Sequence, residues 1–396
     1  MIPVRSIRAF SGDDMSSTFD RITELKQTAG PDAALDALIE TLRSEKNYHR
    51  LFDALLMKRR HELGLPLLRP TSLQDVPADI RPAFEEHYIH CAREVGSLFL
   101  ADGQISEAWL YFRTIQEPQK IAEALERMSL PDEYEKSQEL INIALYEGAH
   151  PIRGLEWLLR NNGTCNTITT LGQMIEQLKP EDRQKAAAIM VRHLYAELRT
   201  SVQADVSRRM PLKPGAGEPS LRELIFGRDW LFQDGNYHID VSHLNSVVRF
   251  ARFLAPGSPE LDQAVQLAEY GTSLDPQFQY PSEAPFDDFY PAHVHFLSAL
   301  AGRNVDEALA YFQHKLEAEP DDEDRQMIAY VLVDLLVRIG QLDKALAIAE
   351  QHLRFLDEAT FSFADLCVKA GRKDAWAAAA KDKGDLVGFT AAIVQA

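Results

Sequence analysis

Apolar side chains recur along this chain at intervals of three and four residues, the spacing that puts them on one face of a helix. From Ser17 to about Met210 nearly every segment reads this way, with turns marked by Gly and Pro. In "GPDAALDALIETLRSEK" Pro31 suits a first helical turn, and Leu35, Leu38, Ile39 and Leu42 form one stripe. Between Arg81 and Leu100 the stripe is Phe84, Tyr88, Ala92, Val95 and Phe99. Period-2 alternation is nearly absent, so the expected class is all-α. "MPLKPGAGEPS", Met210 to Ser220, carries three prolines and two glycines and cannot continue a helix. The sequence thus divides into an arm (1–16), a helical-hairpin region (17–210), a Pro/Gly-rich linker or loop (211–236) and a second helical region (237–396).

The second region repeats itself. Ala264 and Ala268 are followed by Pro276, and Ala308 and Phe312 by Pro320, each proline twelve residues after the first alanine. "GQLDKALAIAEQHL" repeats the front of the unit with Gly340, Leu342, Ala345 and Ala349, and "GRKDAWAAAA" (371–380) is a weaker copy. A helical hairpin explains the pattern. Gly ends the first helix, a small Ala lets the second approach closely, and Pro stops the second.

These residues, with "GQISEAWLYFRTI" (Gly103, Ala108, Phe112) in the first half, resemble the tetratricopeptide repeat superfamily over roughly 259–380. The resemblance implies an α-α superhelix of antiparallel hairpins whose surface holds an extended or helical segment of another protein. Ala264 to Ala308 is 44 residues and Ala308 to Ala345 is 37, against a family period of about 34. "PQFQYPSEAPFDDFYP" (276–291) supplies the excess, as an insertion ahead of a repeat's first helix.

Charge narrows the partners. Sixty acidic residues against 42 basic give a net charge of -18, a field that repels phosphate backbones, so nucleic acid is not expected. Cys91, Cys165 and Cys367 are far apart and form no C-x-x-C pair, which suits a reducing compartment. No run of 18 apolar residues occurs, and none of seven follows the arginines of "MIPVRSIRAF". A cytoplasmic protein without a membrane span is expected.

The insertion is the leading candidate site. Phe278, Tyr280, Phe286, Phe289 and Tyr290 stand beside Glu283, Asp287 and Asp288 with no Lys or Arg among them. Aromatic area with acidic neighbours suits a basic or Arg-bearing peptide, and the expected contacts are Phe286, Asp287, Asp288, Phe289, Tyr290 and His293. The rival reading is a loop that folds back and buries its rings as a cap.

Motifs for catalysis are lacking: there is no G-x-S-x-G, P-loop, H-E-x-x-H or G-x-G-x-x-G. No catalytic residue, metal or cofactor is assigned. An alternative enzyme reading would use His238, Asp240 and His243 with His293 to hold a metal. Against it, Asp240 suits a helix N-cap, and His293 and His295, two apart on a helix, point away from each other. His87, His90, Cys91 and Glu94 share a helix face and either bind metal or flank packing. The acids of "EPDDEDR" (319–325) fit the first turn of a helix. A structural homo-oligomer subunit is the third alternative.

Overall fold

The structure, a computed structural model, describes residues 12–210, 218–279 and 282–395. Residues 1–11 of the expected arm, 211–217 of the expected linker, and Tyr280 and Pro281 of the insertion lie outside them. The described residues are helical, with no strand among them. Two compact units divide the chain, Met1–Asn161 and Asn162–Ala396, so the Pro/Gly-rich run falls inside the second.

In the first unit α1 (Gly12–Ala29), α2 (Pro31–Ser44), α3 (Tyr48–Glu62), α4 (Arg81–Ala101) and α5 (Ile105–Thr114) pack each on the next, and α6 (Gln119–Arg127) and α7 (Tyr134–Ile141) both pack on α5. α8 (Pro151–Met174) spans the division and is broken at Gly163, whose φ is 78°. In the second unit α9 (Pro180–Arg209) packs on α10 (Leu221–Ile225), α11 (Val241–Phe250) and α12 (Glu260–Thr272). Then α13 (Phe289–Leu300), α14 (Val305–Ala318), α15 (Asp322–Arg338), α16 (Leu342–His352), α17 (Phe363–Lys369), α18 (Lys373–Lys383) and α19 (Leu386–Val394) follow, each packed on its predecessor.

The turn chemistry repeats. After α4, α15 and α17 a glycine takes φ of 73°, 80° and 69° at Gly103, Gly340 and Gly371. The next amide reaches back five residues each time: Gln104 to Phe99 O, Gln341 to Leu336 O and Arg372 to Cys367 O, all at 2.8–2.9 Å. This 6→1 bond satisfies a carbonyl that the helix end would leave free, and only Gly takes the required conformation without strain. The small residues read from the repeats are wholly buried, with Ala108, Ala264, Ala268, Ala308, Ala345 and Ala349 at 0% exposure. Those positions are where one helix lies against another, so each unit depends on its neighbour.

Two expected boundaries shift. Residues 218–236 are not simply linker: α10 lies there, opened by a capping box in which Ser220 Oγ accepts from the Glu223 amide and the Glu223 carboxylate accepts from the Ser220 amide. Helix α13 begins at Phe289 and carries Pro291 as its third residue. First-turn amides have no partner within the helix, so proline costs nothing there. As expected, acids of 319–325 occupy the first turn of α15, and Asp321 caps it.

Candidate functional site

α11 and the 3-10 turn after it, Ala251–Phe253, set the centre of the site. Asp240 opens α11 by accepting from the amides of Ser242 and His243, and the Ser242 hydroxyl holds its carboxyl below the usual range. The helix buries Val241, Leu244, Val247, Val248 and Phe250. That leaves Arg249 and Arg252, three residues apart, on the open side of its C-terminal end.

Neither arginine meets a carboxylate at ion-pair distance among the described residues. Arg252 lies over the Phe286 ring, 4.7 Å from its centroid. Burial, and then the neighbouring Arg249, pull its pKa down to about 10. A cation near the end of a helix commonly serves the last carbonyls. Here Arg338 of α15 has taken that role, donating to Arg252 O at 2.7 Å and to Leu254 O.

Three adjoining depressions share Arg252. The largest, about 550 Å³, is bordered by Arg249, Arg252, Phe286, Phe289, His293 and Met327, with Glu283 also on its lining. A second, about 360 Å³, runs past Phe253, Phe296 and Tyr330, and a third, about 380 Å³, past Cys165 and His243. Volumes of this size suit small groups or a side chain with its backbone.

His293 forms part of the wall and is wholly buried. Its Nδ1 is 2.6 Å from Phe289 O, so the proton sits on Nδ1 and Nε2 is left as an acceptor without a partner. Burial pulls the imidazole to a pKa of about 3, which keeps it neutral. Phe286 and Phe289 cover its ring at centroid distances of 4.4 and 4.3 Å.

The residues expected to contact a partner therefore separate. Phe286, Phe289 and His293 come together on the pocket wall, but as core groups that show only edges. Tyr290 is wholly buried and packs over Gly271 of α12. Asp287 and Asp288 turn to Lys315 of α14, each 2.5 Å from its Nζ, and Tyr311 donates to Asp288. Lys315 also donates to Pro285 O at 2.9 Å. The stretch is thus a cap latched by an ion-pair cluster, and among the described residues Phe286, Phe289 and Tyr290 form no open aromatic face. Phe278 is half-buried against Tyr237.

The alternative metal sets are engaged elsewhere. His238 lies 3.4 Å from Asp205 and 3.1 Å from the Tyr270 hydroxyl, and burial lowers its pKa. Asp240 is the helix cap just described, and His243 lines a different depression from His293. In the first unit His87 Nε2 lies 3.3 Å from Cys91 Sγ, while Glu94 pairs with Arg43. Burial pushes the Cys91 thiol up to about 12, so it behaves as a small apolar group. Among the described residues no group of three or more His, Cys, Asp or Glu side chains is placed to hold a metal ion.

No protein-family model matches the chain, and no curated protein is similar to it. No described helix is long and apolar enough to cross a membrane.

Sequence reasoning passed over Arg249, Arg252 and Arg338. The first two stand in "VVRFARFLAP", where arginines three apart alternate with aromatics at a helix end. That pattern marks a cationic corner beside apolar surface. Whether a carboxylate neutralises it is a tertiary property.

Proposed function

We propose that this chain is a non-catalytic interaction protein whose second unit holds a segment of another polypeptide, on helical hairpins of tetratricopeptide kind. The observation that carries the reading is the run of depressions around Arg252, bordered by Met327 and Tyr330 of α15, which are 51% and 43% exposed. Exposed apolar side chains beside concave, partly polar surface are what a peptide groove offers. Three free cysteines, two of them buried, agree with a reducing cytoplasm as the setting.

A displayed random-peptide library selected against the full chain tests the reading. Selected peptides should lose at least tenfold in affinity, about 1.4 kcal/mol, on combining Met327→Asp with Tyr330→Ala. Phe355→Asp, at a side chain 70% exposed and outside the depressions, should leave affinity unchanged. Failure to select any peptide, or equal binding by all three proteins, would rule the assignment out.

A further inference from the structure

We propose that the pocket formed by Arg249 and Arg252 seats the oxyanion of an acidic residue, carboxylate or phosphate, in the segment that the second unit holds. This rests on the segment-binding reading and names the chemistry at its centre.

Several other arginines in the same unit are paired. Arg192 pairs with Glu260, Arg222 with Glu269, Arg303 with Asp262 and Arg325 with Asp322. In a chain of net charge -18, carboxylates are plentiful, yet two adjacent guanidiniums on a pocket wall have none. Arg252 is also partly withdrawn from water over Phe286, and the carboxylates of Glu176 and Asp334 act on it only from beyond ion-pair distance; a desolvated cation so weakly compensated gains when an anion arrives. The local bonds of the two arginines are long, Arg252 Nε to Arg249 O at 3.4 Å and Arg249 to Asn245 Oδ1 at 3.3 Å, while Arg338 satisfies Arg252 O and Leu254 O.

His293 borders the same pocket, but its unpartnered Nε2 is enclosed in the core behind Phe286 and Phe289, so what the pocket leaves unmet at its surface is an anion. Competing acids are few. Asp334 is held by Arg338 at 3.3 Å and Glu176 by Arg183 at 3.6 Å, which leaves Glu283, exposed, as the one acid on the lining of the largest of the three depressions. Two fixed cations outweigh it, and guanidiniums suit the planar oxygens of carboxylate or phosphate.

The test is an array of peptide libraries with Glu, phosphoserine, Lys or Ala fixed at the centre and randomised flanks, probed with the full chain. Inorganic phosphate serves as a separate free probe by thermal shift. Glu or phosphoserine libraries should bind at least tenfold better than Lys, and the ratio between the two distinguishes carboxylate from phosphate. Arg252→Met, which keeps an apolar stem over Phe286, should remove that preference, and Arg252→Lys should retain part of it. Circular dichroism checks that both variants fold. Charge-blind binding, or a preference that survives Arg252→Met, overturns the oxyanion assignment while segment binding stands. If phosphate stabilises the wild type but not Arg252→Met and no library binds, the segment reading falls and a free-anion site remains. If neither libraries nor phosphate bind, both fall.

Discussion

Gly271→Ala probes whether the aromatic stretch is core. Gly271 lies on α12 where α13 crosses, and a Cβ built there would sit 2.5 Å from Tyr290 Cγ and closer still to two other ring atoms. Carbon atoms pack at about 3.5–4.0 Å, so the ring or the helix must move by roughly 1 Å. Tyr290 is wholly buried and has no open space to enter. Overpacking of this kind costs about 1–3 kcal/mol, while replacing Gly by Ala inside a helix returns about 1 kcal/mol. The net loss is up to about 2 kcal/mol, and at about 2–4 °C per kcal/mol the melting temperature of the second unit should fall by up to about 8 °C.

The sign should reverse when the ring is removed. In a Tyr290→Ala background the added methyl enters vacant space, and Gly271→Ala should then stabilise by up to about 1 kcal/mol. The cycle gives a coupling of about 1–3 kcal/mol, within the range for residues in contact. Thermal melts of the four proteins, followed by circular dichroism, provide the numbers. A rise in melting temperature on Gly271→Ala with Tyr290 present would falsify the close approach of α12 and α13. The cap would then not hold Phe289 and His293 where the pocket needs them.

Three further outcomes are expected. Lys315→Met removes the cation that holds Asp287, Asp288 and Pro285 O; it should cost about 1–3 kcal/mol and speed proteolysis at 282–288, and equal digestion of both proteins would contradict the latch. Ser220→Ala removes the capping box of α10 and should cost about 1 kcal/mol, seen as faster amide exchange at Glu223; unchanged exchange would mean the cap carries no load. His293, held at about 3 when folded, titrates near 6.5 when unfolded, so between these values the unfolded state binds the extra proton and stability falls with falling pH, by about 1.4 kcal/mol per unit. His293→Leu should flatten the acid limb of a melting-temperature profile from pH 7 to 4.5, and a slope equal to the wild type would remove His293 from the account.

Much of the architecture was legible because its causes are local. Helical periodicity, glycines after helices and small residues at fixed offsets are properties of neighbouring positions, and Gly103, Gly340 and Gly371 adopt the conformation such turns need. Ser220 and Glu223 were equally legible and were overlooked inside a stretch judged by its prolines. The insertion read as running to Pro291 overlaps the start of α13 at Phe289, because a first turn accepts proline at several positions.

The site was harder because it depends on what crosses from distant parts of the chain. Five aromatics in sixteen residues specify that much area must be covered, but not whether a partner or the chain itself covers it. Gly271 and the α14 side chains that meet Tyr290, Asp287 and Asp288 decide in favour of the chain. Acidity misled in the same way. Asp287 and Asp288 read as available to a basic partner, yet Lys315 lies between them, whereas Arg249 and Arg252 read as ordinary and yet meet no carboxylate at ion-pair distance among the described residues.

The two rival readings of the aromatic stretch therefore need not exclude each other. By burying Phe286 and Phe289 the cap builds one wall of the pocket, and through α13 it sets His293 behind that wall. Two of the cap's carboxylates, Asp287 and Asp288, are turned to Lys315 and away from the arginines, which leaves Glu283 as its acid on the pocket lining. What the cap supplies is low polarity around Arg252, and in such surroundings a guanidinium interacts more strongly with an oxyanion than it would in water. The chain's net negative charge acts in the opposite sense, but over longer distances that salt screens beyond about 8–10 Å. An acidic segment would thus be repelled in approach and held at contact, so that discrimination falls to the few ångströms around Arg249 and Arg252.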